Sequence, residues 1–152
     1  MSVFEQIRSN QVLVSACLGW FVAQVLKTII DMWATGSFKV ERMYGNGGMP
    51  SSHSATVCAM VTSTLFAYGV GSFEFAVTFI LALVVMIDAM GVRRETGKQA
   101  KLLNMMMEQD FWNFDDPAVF EKRLKEFVGH TPFQVAMGCI LGILVAVLLH
   151  VL

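Results

Sequence analysis

Apolar residues in this chain run in long blocks, and the polar positions gather between the blocks instead of alternating with them. Such blocks point to helices that cross a bilayer, because about 20 apolar residues are needed to cover the hydrocarbon core. Four spans are predicted, at about 12–30, 53–68, 73–90 and 133–152. The second and third are joined only by Gly69-Val70-Gly71-Ser72, so they form a tight antiparallel hairpin. The first is not a cleavable leader, since it carries Gln24 and Lys27 and lacks a small-residue cleavage site.

Between the third and fourth spans, residues 91–131 read as a helical surface segment. Arg93 to Gln109 favours helix, with Leu102, Leu103, Met105, Met106 and Met107 lying on the membrane surface. A second short helix has Asp116 as its N-cap and Pro117 in its first position. Phe120, Leu124, Phe127 and Val128 form its apolar face, and Gly129 ends it. The predicted fold class is all-α: a polytopic membrane helical bundle, with residues 1–152 as a single integral-membrane domain.

Composition agrees with this pattern, for 55% hydrophobic against 15% charged residues is too apolar for an ordinary soluble domain. The net charge of −1 identifies no partner beyond the bilayer, and no nucleic acid is expected. Cys17, Cys58 and Cys139 stand singly in separate apolar blocks and read as small helix- or lipid-facing residues, not as a disulfide or metal set. Charge position does change the picture. Four crossings place Lys39, Arg42, Arg93, Arg94, Lys98, Lys101, Lys122, Arg123 and Lys125 on one face and only Arg8 on the other. That asymmetry predicts that the loop-bearing face is cytoplasmic.

The unusual polar residues converge on the same face. Lys27 closes the first span, His53 opens the second, Asp88 lies in the last turn of the third and His130 precedes the fourth. Charged groups at membrane depth are costly and normally face a polar cavity or one another. Gly47-Gly48 leads into Pro50-Ser51-Ser52-His53 at the start of a helix. There, unpaired amides and the positive end of the helix dipole favour an anion, and an imidazole can exchange a proton near neutral pH. Each residue also has a plainer reading: Lys27 snorkels, Asp88 pairs with Arg93 or Arg94, and the two arginines stop the span. Gly138-x-x-x-Gly142 is a close-packing motif, and His150 an interfacial residue.

Gly48-Met49-Pro50-Ser51-Ser52-His53-Ser54-Ala55, Asp88-Ala89-Met90-Gly91-Val92-Arg93-Arg94, Gln99-Ala100, Leu103-Asn104 and Gly129-His130-Thr131-Pro132 together resemble the divergent type-2 phosphatidic acid phosphatase family. These are small bacterial and plant membrane proteins related to the acid phosphatase and vanadium haloperoxidase superfamily. The resemblance covers roughly residues 20–143. It implies that Ser51, Ser52 and His53 form the phosphate-binding and general-acid segment, that Arg93 or Arg94 binds phosphate oxygens, and that His130 is the nucleophile. Lys27 would stand for the lysine of the superfamily's first motif, and Arg42 for the arginine that does not directly follow it. The chain also departs from the pattern. Arg94 and His130 are 36 residues apart, where the superfamily holds both in one compact motif. Gln134 stands where it has a carboxylate to orient the nucleophile, a role Asp88 could take over in space. Four spans are fewer than is common among lipid phosphatases, which leaves room for a homodimer to complete the site.

Two functions follow from this reading. The first is a membrane-embedded phosphatase that hydrolyses a lipid phosphomonoester or diphosphate through a phosphohistidine. It would act without a cofactor, since no metal-ligand spacing appears in the sequence. The second is a protein that binds a lipid phosphate, or stabilises an assembly, without turnover. Halide oxidation with vanadate would use the same pocket but suits a soluble enzyme better. The expected location is a bacterial cell membrane.

Overall fold

A computed structural model describes residues 2–36, 48–108, 124 and 129–152. Among them every regular element is a helix. A short α1 (Val3–Ser9) leads into α2 (Gln11–Thr35), which is followed by α3 (Ser52–Tyr68), α4 (Phe73–Met90), α5 (Val92–Glu108) and α6 (Pro132–Val151). The starts are written in local chemistry. Side-chain oxygens of Asn10, Ser51, Ser72 and Thr131 accept first-turn amides of α2, α3, α4 and α6, and Pro132 occupies the first turn of α6. α2 ends at Gly36, whose φ of 66° is a left-handed conformation that glycine adopts at no steric cost.

α3 is the hub, packed against α2, α4 and α6. Small residues let the backbones approach, as expected where lipid offers no hydrophobic drive between helices. Gly19 of α2 faces Ala55 and Ala59 of α3 so closely that a Cβ there would stand 2.9 Å from the Ala55 carbonyl oxygen and from Ala59 Cβ. Gly142 of α6 meets the same two residues from another side: its Cβ would run into the Ala55 carbonyl oxygen and stand 2.9 Å from the Ala59 nitrogen. Gly138, one turn nearer the start of α6, lies against the Ser51 carbonyl. The α3–α4 seam is filled differently. Val57, Cys58 and Ala82 are buried there, with Val61, Val85, Met86 and Cys139 packed around them.

Outward faces are apolar. Ile80, Val84 and Ile87 on α4 and Leu144 and Leu148 on α6 are all exposed, a surface suited to lipid and not to water. Gln11–Thr35, the run beginning at Phe73, and Pro132–Val151 are long and apolar enough to cross a membrane. α3 matches the predicted second span to within one residue, yet its 17 residues rise only about 25 Å. It carries hydroxyls that bond back to its own carbonyls, Thr56 to Ser52 at 2.7 Å and Thr64 to Met60 at 2.8 Å. Three other helices surround it, so it has less need of a lipid-compatible exterior.

A helix forms over the predicted stretch as α5, and Leu102, Leu103 and Met105 on it are exposed. Buried Asn104 donates to the Leu124 carbonyl and accepts the Leu124 amide, both at 3.0 Å, tying Leu124 to α5. The second helix predicted between Asp116 and Gly129 falls largely outside the described residues.

Candidate functional site

Helix alternation brings the end of α2, the start of α3, the end of α4 and the start of α6 to one end of the bundle, and backbone bonds stitch their loops together. The Ser51 amide donates to the Gln134 carbonyl at 3.1 Å, joining the start of α3 to the first turn of α6. The His130 amide donates to the Ala89 carbonyl, also at 3.1 Å, fixing the loop before α6 to the end of α4. Gly129 makes this possible, because a Cβ at that position would collide with the Arg94 backbone.

These links gather most of the predicted residues. The imidazoles of His53 and His130 lie 6.3 Å apart between ring centroids, tilted by 59°. His130 is buried, while His53 in the first turn of α3 is half-buried. Lys27 is 2% exposed. Its aliphatic stem runs beside Gly48, where a Cβ would come within 3.3 Å of Lys27 Cγ, and the φ of 83° at Gly48 further favours glycine. Lys27 and Arg93 act electrostatically on both histidines, and Asp88 acts on His53. Of the adjacent arginines, Arg93 is thus the one whose charge reaches the site. Arg94 is exposed, with its backbone against Gly129. Arg42 lies outside the described residues.

Asp88 is committed to Arg93, whose Nε donates to its Oδ2. It therefore does not take the orienting place beside His130. Gln134 takes that place, through a capping box. Gln134 Oε1 accepts the Thr131 amide at 3.0 Å, while the Thr131 hydroxyl oxygen accepts the Gln134 amide at 3.3 Å. The same Oε1 lies 3.3 Å from His130 Nδ1. A backbone N–H can only donate, so the Gln134 atom facing it must be oxygen, and His130 Nδ1 must then carry the proton. Nε2 is left with its lone pair free. Burial holds the His130 imidazole below its ordinary value; the Gln134 hydrogen bond opposes this, and the positive charge of Lys27, with His53 and Arg93, adds to the lowering. The result is a neutral ring with a free nitrogen, the form a nucleophile requires.

Ser51 and Ser52 are both buried, at 0% and 4% exposure. Ser51 Oγ accepts the Ser54 amide at 3.4 Å and the Ser54 hydroxyl at 3.0 Å, so it serves chiefly to start α3. The sequence reading missed Gln24, one turn from Lys27 and only 8% exposed, whose Oε1 has no hydrogen-bond partner among the described residues. Its one signal was a polar amide inside an apolar block. Cys58 and Cys139, read from the sequence as small helix- or lipid-facing residues, come together against Met86, which their separate places in the chain do not reveal. Among the described residues no three His, Cys, Asp or Glu side chains gather as a metal-holding group.

A family model described as "Divergent PAP2 family" matches residues 8–145. The chain is also similar to the "Uncharacterized membrane protein YuiD" of Bacillus subtilis (strain 168), with 37% identity over 153 residues covering 95% of this chain and 96% of that protein. No solved structure matches it.

Proposed function

The chain belongs to the divergent PAP2 family, and from that premise we propose that it is a membrane-embedded phosphatase hydrolysing a lipid phosphomonoester or diphosphate. The observation that carries this reading is the histidine pair, 6.3 Å apart, with Lys27 and Arg93 bearing on both rings. A nucleophile stands about 3–3.5 Å from the atom it attacks, and a general acid keeps hydrogen-bond reach of the leaving oxygen. Two imidazoles at this spacing bracket one phosphoryl group.

The steps balance on the chain's own residues. The His130 Nε2 lone pair forms an N–P bond as the bond from phosphorus to the leaving oxygen breaks, and protonated His53 gives that oxygen its proton. Lys27, Arg93 and the positive end of the α3 dipole neutralise charge building on the remaining oxygens. Water then attacks phosphorus, His53 takes its proton, the N–P bond breaks and inorganic phosphate leaves. The basic residues of the loop-bearing face support a cytoplasmic orientation. A lipid reaches such a site laterally, with its phosphate at the level of the helix ends.

The second reading is lipid-phosphate binding without turnover. The observation favouring it is Gln134, a neutral amide beside the nucleophile where a carboxylate would stabilise an imidazolium. Phosphate release from a panel of lipid phosphates by the detergent-solubilised protein, with His53→Ala and His130→Ala alongside, separates the two. Release abolished in both folded variants supports the enzyme. Binding of the same lipids by a wild type that releases nothing leaves the binding protein.

A further inference from the structure

Where α3, α4 and α6 meet, three sulfur atoms from three helices come together, with Cys58 buried and Met86 and Cys139 partly buried. Cys139 Sγ lies 3.1 Å and Cys58 Sγ 4.0 Å from Met86 Sδ. Both thiols therefore point at the same thioether sulfur. The same cluster holds the aliphatic side chains of Val57, Val61, Ala82 and Val85. Cys17, by contrast, is exposed on α2 and takes no part.

We propose that Cys58, Met86 and Cys139 form a binding site for a soft monovalent cation, Cu(I). Thiolate and thioether sulfurs together select Cu(I), because a thioether is a poor ligand for the harder divalent ions. The geometry is close to what coordination needs. Metal–thiolate bonds of about 2.3 Å put the sulfurs of a trigonal set about 4 Å apart. The Cys58–Met86 separation already has that value, and Cys139 needs to recede by about 0.9 Å. Charge also favours a monovalent ion. A cation that displaces one thiol proton leaves a neutral centre, which an apolar interior tolerates, whereas a net charge there is costly. The bound ion would clamp α3, α4 and α6, the helices that carry His53, Asp88 and Gln134, and would stabilise the fold by mass action. Met86 distinguishes this site from a thiol pair built to close a disulfide, which has no use for a thioether.

The test is anaerobic titration of the reduced, detergent-solubilised full chain with Cu(I) against a chromogenic Cu(I) chelator. Wild type and Cys17→Ser are expected to take up one equivalent each. Cys58→Ser and Cys139→Ser should weaken binding by about 100-fold or more, and Met86→Leu by about 10-fold. A second measurement needs no variant: Cu(I) should protect Cys58 and Cys139 from alkylation, read by peptide mass spectrometry, while Cys17 stays reactive. Undiminished binding in Met86→Leu, binding that survives loss of either cysteine, or no uptake by a wild type that instead closes a Cys58–Cys139 disulfide would each overturn the proposal.

Discussion

Replacing Gln134 by glutamate tests the chemistry of His130 most directly. The change is nearly isosteric and keeps the capping box, since glutamate serves the Thr131 amide as well as glutamine does. What it adds is a negative charge 3.3 Å from His130 Nδ1. At an effective dielectric near 20, full charges at that separation attract by about 5 kcal/mol. Lys27 and Arg93 already act on the ring and would share the new field, and the carboxylate loses hydration on entering the site. A net stabilisation of the imidazolium by about 2 kcal/mol is expected. In the proposed mechanism Nδ1 becomes more positive as Nε2 attacks phosphorus, so the transition state gains this stabilisation, and kcat/KM for phosphate release should rise roughly 30-fold. Two readouts are needed. Phosphate release across pH should show the faster rate with its acid limb moved upward, and NMR titration of His130 should move in the same direction. Gln134→Leu is the opposing arm: it removes the acceptor, strands the buried Nδ1–H and should lower kcat/KM at least about 10-fold. A His130 titration unmoved by Gln134→Glu, together with full activity in Gln134→Leu, would refute the assignment of Gln134 as the residue that holds the His130 tautomer.

Two further outcomes are expected. Gly138→Ala drives a methyl group into the Ser51 carbonyl and to within 2.9 Å of Ser54 Cβ, whereas a Cβ at Gly71 meets nothing within 4 Å. Overpacking of about 1–3 kcal/mol, partly offset by about 1 kcal/mol of helix propensity, should lower the thermal midpoint of Gly138→Ala in detergent. Gly71→Ala should melt like wild type, and equal midpoints would contradict the close α3–α6 packing. Stability should also fall on acidification: below pH 6.5 the unfolded chain binds a proton that the buried His130 resists, so the fold is favoured above that pH and loses stability beneath it. His130→Gln should flatten the decline of the melting temperature between about pH 5 and 6.5, and an unchanged slope would show that His130 does not contribute to it.

Much of the architecture is local and therefore legible in the chain. Apolar block length sets the helices, and the Asn10, Ser51, Ser72 and Thr131 caps mark their starts within a residue or two of the predicted boundaries. Helix alternation then assigns Lys27, His53, Asp88 and His130 to one end of the bundle. His53, Asp88 and His130 sit at or beside helix termini, and Lys27 lies two turns before the end of α2, which runs on to Thr35 past the predicted end of the first span at 30. Side-chain partnerships are another matter. Asp88 and Gln134 were both able to orient His130 by sequence, and the choice depends on where Arg93 and the Thr131 cap stand. The pairing of Ser51 with Gln134, and of His130 with Ala89, joins residues more than 40 apart along the chain and leaves no periodic signature.

What the sequence alone determined, then, is the all-helical class, where the long helices start, and the end of the bundle at which its ionisable groups collect, since hydrophobic periodicity and capping act over a few residues. The tertiary structure decided which arginine reaches the histidines, which acceptor fixes the His130 tautomer, and that Cys58 and Cys139 share a neighbour in Met86. Those outcomes depend on how closely Gly19, Gly138 and Gly142 let the helices approach and at what rotation they lock. Close packing of distant segments is a property of the assembled bundle, and no single stretch of the chain encodes it.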